Sequence, residues 1–480
     1  MAPLKKSTEP GFSSTETVVN VSSKLLPRFS PATLLVLLGM IFLYSLANFD
    51  WLVRNWNVCL LSLAVLLLAY RLLTPAYEFA PALERSLKWP LVFLICYVVF
   101  QLAPIPEPAL KALSPSRARL LDSLRPLAIG GGLAPLSVAP WATLRELVRM
   151  MSYVVVFLLV REASWRLPDR PWAPAFPLVI AAALEAALGL AQYASGDAGS
   201  YARGTYVTRD HFSGLLEMCL PFAIAYPVAT RARSAWRACA MIGLATVIFL
   251  GIIYSLSRMG FIASLCSVSA MAATGAVSGL PRRKRFAVAG SVVLVAVAFA
   301  FLAPDRLIER FGKVSTEQKI ESDTRMLLWQ DTLRLIRRYP LFGCGMGGYE
   351  SAVAEFQTAA PLTSANAAHN DYLQLAAELG AFGLLPAAAF ALAIFAKALV
   401  VISRRFDPQV RNLGVACAGS LVAILVHSLT DFNLYSVANG FALSWICGIV
   451  AGFSFHAPVR SVWRLPGLPQ FIDSGPAGLN

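Results

Sequence analysis

Residues 380–401 read GAFGLLPAAAFALAIFAKALVV, an apolar stretch in which Lys397 is the only charged side chain. A helix that crosses a bilayer needs about 20 apolar residues, so this stretch predicts a transmembrane helix. Similar runs lie near residues 32–50, 55–73, 89–104, 142–161, 173–193, 211–229, 238–256, 259–279, 286–304, 412–430 and 434–455. The pattern predicts an all-α polytopic membrane protein with about twelve transmembrane helices.

The composition agrees with a membrane protein. Of the 480 residues, 57% are hydrophobic and 14% are charged, whereas roughly a quarter of residues are charged in soluble proteins. An ordinary soluble enzyme is therefore excluded. The net charge is +14, but a nucleic-acid-binding domain would not be this apolar. In a membrane protein, an excess of Lys and Arg is expected from residues that anchor the cytoplasmic loops.

Loop charges orient the predicted helices. With a cytoplasmic N-terminus, the even-numbered loops carry most of the Lys and Arg, including the run RRKR at 282–285, so both termini are predicted in the cytoplasm. The predicted organisation is a disordered cytoplasmic tail over 1–30, nine spans over 31–304, a large periplasmic loop over 305–379, three spans over 380–455 and a cytoplasmic tail over 456–480.

Cysteine and histidine restrict the chemistry. Seven of the eight cysteines lie inside apolar runs and are interpreted as small hydrophobic residues. The eighth, Cys344, lies in a polar segment without an obvious disulfide partner. Because there is no Cys-x-x-Cys motif and no histidine pair at helical spacing, no metal site is predicted. The four histidines are His211, His369, His427 and His456.

The large loop is predicted to contain an amphipathic helix. Ser322 and Asp323 supply N-cap chemistry, and Pro340 ends the helix. Its predicted apolar face consists of Met326, Trp329, Leu333 and Ile336. Such a helix is expected to lie on the membrane surface or against the bundle. The glycine-dense residues 343–348 then predict a tight turn, because no strand precedes them and no Gly-Lys-Ser/Thr follows as in a nucleotide-binding loop.

A second outer segment, residues 105–141, is Pro-rich and then Gly-rich and predicts a loop with an interfacial helix near 114–124. Its contribution to function is not readable from the sequence.

His369 lies where the large loop enters the tenth predicted span. Asn370 is a predicted N-cap, which places the imidazole near the outer boundary of the membrane. The helix dipole there disfavours the imidazolium, so a neutral ring competent as a base is expected. A capping or interfacial role is the alternative interpretation.

Several motifs resemble one family. HNDYLQ at 369–374, followed by ELG at 378–380, resembles the signature of the bacterial O-antigen ligase/O-antigen polymerase superfamily with its Wzy-type C-terminal domain. Further matching pieces are RGTY at 203–206 before HFSG at 211–214, SRMG at 257–260, Arg325 and Trp329 before YPLFG at 339–343, and DFN at 431–433. The resemblance covers about residues 140–455. Thr208-Arg209-Asp210 departs from the Asn-Pro-Asn-like turn of many relatives.

The resemblance implies a GT-C-like membrane glycosyltransferase of cell-surface polysaccharide biosynthesis in the bacterial inner membrane. Such enzymes transfer a glycan from undecaprenyl diphosphate to an acceptor on the periplasmic face. The acceptor is lipid A–core in ligases, the growing glycan in polymerases, or a protein hydroxyl in a third branch. No cofactor or metal is implied, and the expected partners are the lipid-linked donor, the acceptor and membrane lipids, with no nucleic acid.

The resemblance also implies roles for individual residues. His369 is the expected general base. Arg258, Arg325 and Arg203 are expected to bind the diphosphate, because the guanidinium fork matches phosphate oxygens. Each of these arginines has an ordinary alternative as a snorkelling or solvated charge. The expected supporting residues are Asn370, Asp371, Tyr372, His211 and Asp431. Attack opposite the diphosphate would invert the anomeric centre.

The local alternatives are structural. Asp371 is two positions from His369, a helical spacing that points it away from the ring. Tyr372 and His211 fit an aromatic or polar membrane belt. His427 and Asp431 are spaced i, i+4, which predicts a structural hydrogen bond between them.

Other functions remain open at this point. A transporter or lipid-linked glycan flippase would suit twelve spans, with Glu185 and Glu217 as buried proton or substrate sites, although no internal repeat of two halves is evident. Hydrogen bonding within the bundle is the alternative for both carboxyls. A structural membrane scaffold is a third hypothesis. If the protein is an enzyme, ligase and exopolysaccharide or O-antigen polymerase are near-equal alternatives.

Overall fold

The structure is a computed structural model that describes residues 29–47, 52–124, 126, 132–196, 201–230, 235–277, 316–358, 365–404 and 407–453. The two predicted tails, the basic run 282–285 and the predicted ninth span 286–304 lie outside the described residues.

The described residues form a helical protein. The helices are α1 (Pro31–Ala47), α2 (Leu52–Leu73), α3 (Arg85–Leu102), α4 (Glu107–Leu113), α5 (Pro115–Leu124), α6 (Pro140–Arg166), α7 (Phe176–Ser195), α8 (Arg209–Thr230), α9 (Ala235–Tyr254), α10 (Arg258–Val277), α11 (Thr316–Arg338), α12 (Tyr349–Val353), α13 (Asp371–Ser403), α14 (Pro408–His427) and α15 (Val437–Gly452). Short 3₁₀ turns occur at Ala76–Glu78, Ala173–Ala175 and Asn433–Tyr435.

Seven helical segments are long and apolar enough to cross a membrane. Six of them lie within α2, α3, α8, α9, α13 and α14, and the seventh combines α7 with the 3₁₀ turn Ala173–Ala175 that precedes it. The helices α1 and α15 are apolar but shorter. A polytopic membrane protein fits this pattern, and every predicted span inside the described ranges coincides with a helix. The predicted number of twelve spans stays a prediction.

Helix α8 is the centre of the bundle. It is apolar around most of its circumference and buried over most of its length, as expected for a helix surrounded by others. It packs against α7, α9, α10, α14 and α15. A second contact joins α15 to α6. The buried Trp445 indole of α15 also donates a hydrogen bond of 2.8 Å to the Pro174 carbonyl, in the 3₁₀ turn before α7. These contacts place the N-terminus of α8 beside the C-terminus of α14.

Helix α13 is kinked at Gly380, which has φ +60° and ψ −173°. A Cβ at this position would collide with the Leu341 carbonyl, so the kink requires glycine. Side chains of α3 hold the backbone groups at the kink. The Tyr97 hydroxyl lies 2.7 Å from the Leu379 carbonyl oxygen, and the Gln101 amide donates to the Glu378 carbonyl at 2.9 Å. The kink separates residues 371–379, which follow His369, from the remainder of the span.

The amphipathic helix differs from its prediction. It begins at Thr316, before the predicted cap at Ser322 and Asp323. The predicted apolar face was wrong in part, since Met326 and Leu333 are exposed. The buried face instead comprises Leu328, Asp331, Thr332 and Leu335. The reason is that α11 packs against α13 and α12, and polar residues on that face find partners there. The Asp331 carboxylate, for example, accepts from the Thr358 amide and hydroxyl.

The turn predicted at residues 343–348 and the helix predicted near residues 114–124 are both present. Residues 343–348 form a turn between α11 and α12, with positive φ at Gly343, Gly345 and Gly347. In the segment 105–141, the predicted helix near 114–124 is α5, preceded by α4. A two-residue antiparallel pair, β1 (Ile105–Pro106) with β2 (Leu133–Ala134), closes this segment.

Candidate active site

His369 lies at the entrance to α13, as predicted. Its neighbour Asn370 is the N-cap, and the Asn370 side chain accepts a hydrogen bond of 3.0 Å from the Leu373 amide. His369 itself has φ +48°. A non-glycine residue in this left-handed region carries backbone strain, which is often found at functional sites. The side chain remains about one-third exposed, at 32%, so the ring is accessible to a substrate.

The imidazole of His369 faces a buried carboxylate. Its Nδ1 lies 3.3 Å from Oδ1 of Asp431, in the turn between α14 and α15. The Asp431 side chain is 6% exposed. A second histidine, the buried His211 of α8, places Nε2 3.7 Å from Oδ2 of the same carboxylate. That distance is long for a hydrogen bond and corresponds to an electrostatic contact. Asp431 therefore lies between two imidazoles.

Phe432 separates the two histidine rings. Its ring centroid is 4.5 Å from that of His211 and 5.0 Å from that of His369, and both contacts are edge-on. Burial alone would raise the pKa of the Asp431 carboxyl, but the hydrogen bond with His369 and the nearby imidazoles hold that pKa well below its usual value. Asp431 is therefore a buried anion in contact with His369.

Asp371 hydrogen-bonds to the turn after α14 rather than to the His369 imidazole. Its fully buried carboxylate accepts a hydrogen bond of 2.6 Å from the Ser428 hydroxyl, and the Leu434 amide donates to it at 3.2 and 3.3 Å. The Asp371 amide donates to the carbonyls of Ser428 and Asp431. Asp371 thus fixes the turn 428–434, and through that turn it places Asp431 opposite His369.

Arg325 of α11 joins the site through the same turn. Its guanidinium Nη1 donates to the Thr430 carbonyl at 3.0 Å, one residue before Asp431. One helical turn further along α11, the Trp329 indole donates to the Ala368 carbonyl at 3.1 Å, one residue before His369. Helix α11 therefore contacts the chain on both sides of the His369–Asp431 pair.

Arg258 is the first residue of α10, which begins next to α8. The preceding Ser257 donates a hydrogen bond of 2.6 Å to Asp210, which is next to His211. Two residues before Arg258, Leu256 has φ +57°. Leu256 and His369 are the non-glycine residues with positive φ in the described part of the chain, and both lie at this end of the bundle.

Arg203 lies in the loop that precedes α8. The loop is tied to the bundle because the Ala202 amide donates to the Tyr254 carbonyl at 2.8 Å, and the Thr205 amide and hydroxyl each donate to Glu185 at 3.0 Å. Gly204, with φ +58°, allows this approach, since a Cβ there would collide with the Glu185 carboxylate. The hydrogen bonding predicted for Glu185 within the bundle is confirmed.

The interpretation of His427 requires a correction. The predicted hydrogen bond to Asp431 is wrong, because Nδ1 of His427 instead lies 2.9 and 3.0 Å from the two carboxylate oxygens of Glu217. Helix α14 ends at His427, so the i, i+4 spacing no longer lies on one helix. Glu217 does hydrogen-bond within the bundle, as predicted. Tyr372 contacts the Leu425 carbonyl at 2.7 Å through its hydroxyl, away from the His369–Asp431 pair.

The sequence did not reveal the contact between His369 and Asp431. The two residues are 62 positions apart, and only the packing of α13 beside the turn 428–434 brings them together. The matching piece DFN at 431–433 was the available signal. In the described ranges, no group of three or more His, Cys, Asp or Glu side chains could hold a metal ion. The arrangement places a partly exposed imidazole against a buried carboxylate, with the Arg325 guanidinium bound to the residue before that carboxylate.

Comparison with known proteins finds a family match. Residues 243–388 match the model of the family Wzy_C, which is described as O-antigen ligase. The match includes Arg258, Arg325 and His369 and ends before Asp431. No curated protein matches the chain significantly.

Proposed function

Because residues 243–388 match the O-antigen ligase family model, we propose that the chain transfers a glycan from undecaprenyl diphosphate to an acceptor hydroxyl. The observation that carries the proposal is the contact of 3.3 Å between His369 Nδ1 and Asp431 Oδ1, with Arg325 bound to the residue before Asp431. This combination suits a reaction that removes a proton from a hydroxyl and releases an anionic leaving group.

His369 is the general base of the proposed reaction. Its hydrogen bond to Asp431 keeps the proton on Nδ1 and leaves Nε2 to accept a proton from the acceptor hydroxyl. As the hydroxyl oxygen attacks the anomeric carbon, the carbon–oxygen bond to the diphosphate breaks, and its electron pair remains on the diphosphate. Asp431 stabilises the imidazolium that forms. The anomeric configuration inverts because attack occurs opposite the leaving group.

The arginines receive the leaving group. A guanidinium donates two parallel hydrogen bonds to phosphate oxygens, and charge stabilisation of this kind is a large contribution to catalysis in a site that excludes water. Arg325 and Arg258 are proposed to bind the diphosphate, and Arg203 borders it from the loop before α8. The proposal involves no metal ion. The active site is proposed to face the periplasm, with both termini in the cytoplasm of a bacterial inner membrane.

Deletion of the gene, followed by separation of the surface glycan by size, tests the proposed function. Single repeats left on lipid A would identify a polymerase, and unattached polymer on undecaprenyl diphosphate would identify a ligase. Complementation with His369→Ala is expected to restore no product although the protein reaches the membrane, as checked by immunoblot. An unchanged glycan in the deletion strain, or full complementation by His369→Ala, would refute the proposal.

A further inference from the structure

A second acid–base pair lies in the interior of the bundle, beneath the site. Glu217 of α8 and His427, the last residue of α14, are both fully buried, and His427 Nδ1 is 2.9 Å from the nearer carboxylate oxygen. Buried pairs of this kind contribute little to stability, because the cost of desolvation offsets their attraction. Ionisable groups inside a membrane protein mark functional positions more often than structural ones.

The pair is connected to the base through both of its helices. Glu217 is six residues after His211 on α8, about 9 Å along the helix axis. On the other side, His427 directly precedes Ser428, whose hydroxyl and carbonyl hold Asp371. The His427 carbonyl also accepts from the Thr430 amide. The pair thus joins α8 to the first residue of the turn that carries Asp431.

Polar atoms without a hydrogen-bond partner occur at the pair, at His211 and at Asp431. His427 Nε2, both ring nitrogens of His211 and Asp431 Oδ2 are buried and have no hydrogen-bond partner in the described part of the chain. Buried polar atoms are nearly always paired in proteins, so these atoms mark the region between the pair and Asp431 as one where hydrogen bonding can rearrange.

Charged groups surround the pair on every side that faces the site. From α8 these are Asp210 and His211, from the turn after α14 it is Asp431, and from the start of α13 it is Asp371. A neutral replacement of Glu217 removes the carboxylate that His427 contacts directly, and the hydrogen bonding that sets the position of the turn must change.

We propose that Glu217 and His427 are positioning residues of the glycosyl-transfer site, which hold the turn 428–434 at the distance from α8 that places Asp431 against His369. The inference rests on the proposed function. The arginines proposed to bind the diphosphate belong to α10, α11 and the loop before α8, so the pair sets the alignment of the base and leaves donor binding unchanged. A displacement of about 1 Å at a catalytic group costs on the order of 10²-fold in rate.

The test is steady-state kinetics of the purified full chain in lipid nanodiscs. The donor is the lipid-linked glycan extracted from cells that lack the gene, the acceptor is lipid A–core or a second lipid-linked glycan, and release of undecaprenyl diphosphate is measured. Glu217→Gln keeps the shape and one hydrogen-bond acceptor, and is expected to lower kcat by roughly tenfold or more with KM for the donor unchanged. His427→Gln is expected to do the same, and the double variant to be no slower than either single variant, since both changes break one contact.

A pair with only a structural role gives a different result. In that case the melting temperature falls, kcat per folded molecule stays at the wild-type value, and the inference is overturned. Additive losses in the double variant also overturn it. If Glu217→Gln is not recovered folded, His427→Gln replaces it in the test. A lower kcat with an unchanged KM for the donor then supports the inference, and an unchanged kcat overturns it.

The matched control is Glu84→Gln, which disrupts the pair between Glu84 and the buried Lys397 at the other end of the bundle and should leave kcat unchanged. A wild-type protein that releases no undecaprenyl diphosphate would contradict the proposed function itself, which is distinguishable from an active enzyme whose Glu217 and His427 variants are normal.

Discussion

Asp431 is the residue on which the charge of the site depends. It has 6% side-chain exposure, contacts His369 and His211, and its pKa lies well below the usual value because the hydrogen bond and the imidazoles outweigh burial. A carboxyl with a depressed pKa contributes its stabilisation above the pKa of the unfolded chain, about 3.9, and loses it only as the pH falls through the folded value. Asp431 is thus ionised throughout the range in which a histidine base works.

Asp431→Asn is expected to lower kcat by about 10²-fold or more, because an amide cannot stabilise the imidazolium that forms during proton transfer. Release of undecaprenyl diphosphate measured at saturating donor checks this loss. The control Asp407→Asn replaces an N-cap at the other end of the bundle and should leave kcat unchanged. A rate within twofold of wild type would exclude Asp431 from the mechanism.

Arg258→Lys should be severely impaired, since an ammonium cannot reproduce the two parallel hydrogen bonds of a guanidinium to phosphate oxygens. A loss of one bidentate contact corresponds to roughly tenfold or more in kcat/KM. The measurement is the same release assay with varied donor. Arg237→Lys, an arginine near the start of α9 at the opposite end, is the matched control. Near-normal kinetics of Arg258→Lys would remove this residue from the proposed site.

The sequence selected His369, Asn370 and Arg325 as candidate site residues from the motif and from capping chemistry. The structure places the three close together, because Arg325 and Asn370 both bind carbonyls of the turn that carries Asp431. The partner of His369 was not predictable, because no local spacing relates it to Asp431. The His427–Asp431 prediction failed because it assumed one continuous helix, whereas α14 ends at His427 and Glu217 is available from α8.

Among the elements, α11 shows why periodicity alone misassigns a face. Met326 and Leu333 satisfy a helical apolar pattern but are exposed, whereas Asp331 and Thr332 are fully buried. The pattern presumes that buried positions are apolar. Here Asp331 is buried because Thr358 and Arg334 satisfy its carboxylate, and a sequence does not show such partners.

This difference has a measurable consequence. Leu335→Ala removes a fully buried side chain of α11 and is expected to cost about 2–5 kcal/mol in the free energy of unfolding. Leu333→Ala changes an exposed side chain, at 41%, and should stay within about 0.5 kcal/mol. Thermal unfolding of both variants in detergent checks the ranking. Equal losses, or a larger loss for Leu333→Ala, would contradict the packing of α11 against α13.

The position of the kink in α13 could not be predicted from the sequence either. Residues 371–403 contain Gly380, Gly383 and Pro386, and each could bend a helix. The position is decided by tertiary contacts, because Tyr97 and Gln101 of α3 bind the carbonyls that the kink exposes. The kink gives residues 371–379 a direction of their own, and the N-terminus of that segment carries His369.

For the whole molecule, hydropathy predicted a membrane bundle, and each predicted span inside the described ranges coincides with a helix. A helix that crosses a bilayer is recognised by its length and its apolar composition, and both can be read directly from a sequence. Which end of the bundle faces the periplasm is a separate question, because the sequence indicates it only through the charges of the loops. The site residues collect at the end formed by the N-termini of α8, α10, α13 and α15 and the C-terminus of α14.

Cysteine labelling tests which side that end faces. In intact cells, a membrane-impermeant maleimide should modify Glu350→Cys of α12, an exposed position at the site end. Asp169→Cys, exposed between α6 and α7 at the opposite end, should react only after lysis, because it is proposed to face the cytoplasm. The unsubstituted chain is the control for its native cysteines. The reverse labelling pattern would place the site in the cytoplasm and contradict the periplasmic proposal.

The central claim is that His369 removes a proton while a lipid diphosphate departs, and the most direct measurement uses the purified chain with extracted lipid-linked glycan and an acceptor. The account predicts that wild type releases undecaprenyl diphosphate in step with glycosylation of the acceptor. His369→Ala is predicted to bind the donor and release none. Release by His369→Ala at the wild-type rate, or movement of the donor across a vesicle membrane without release by wild type, would contradict it.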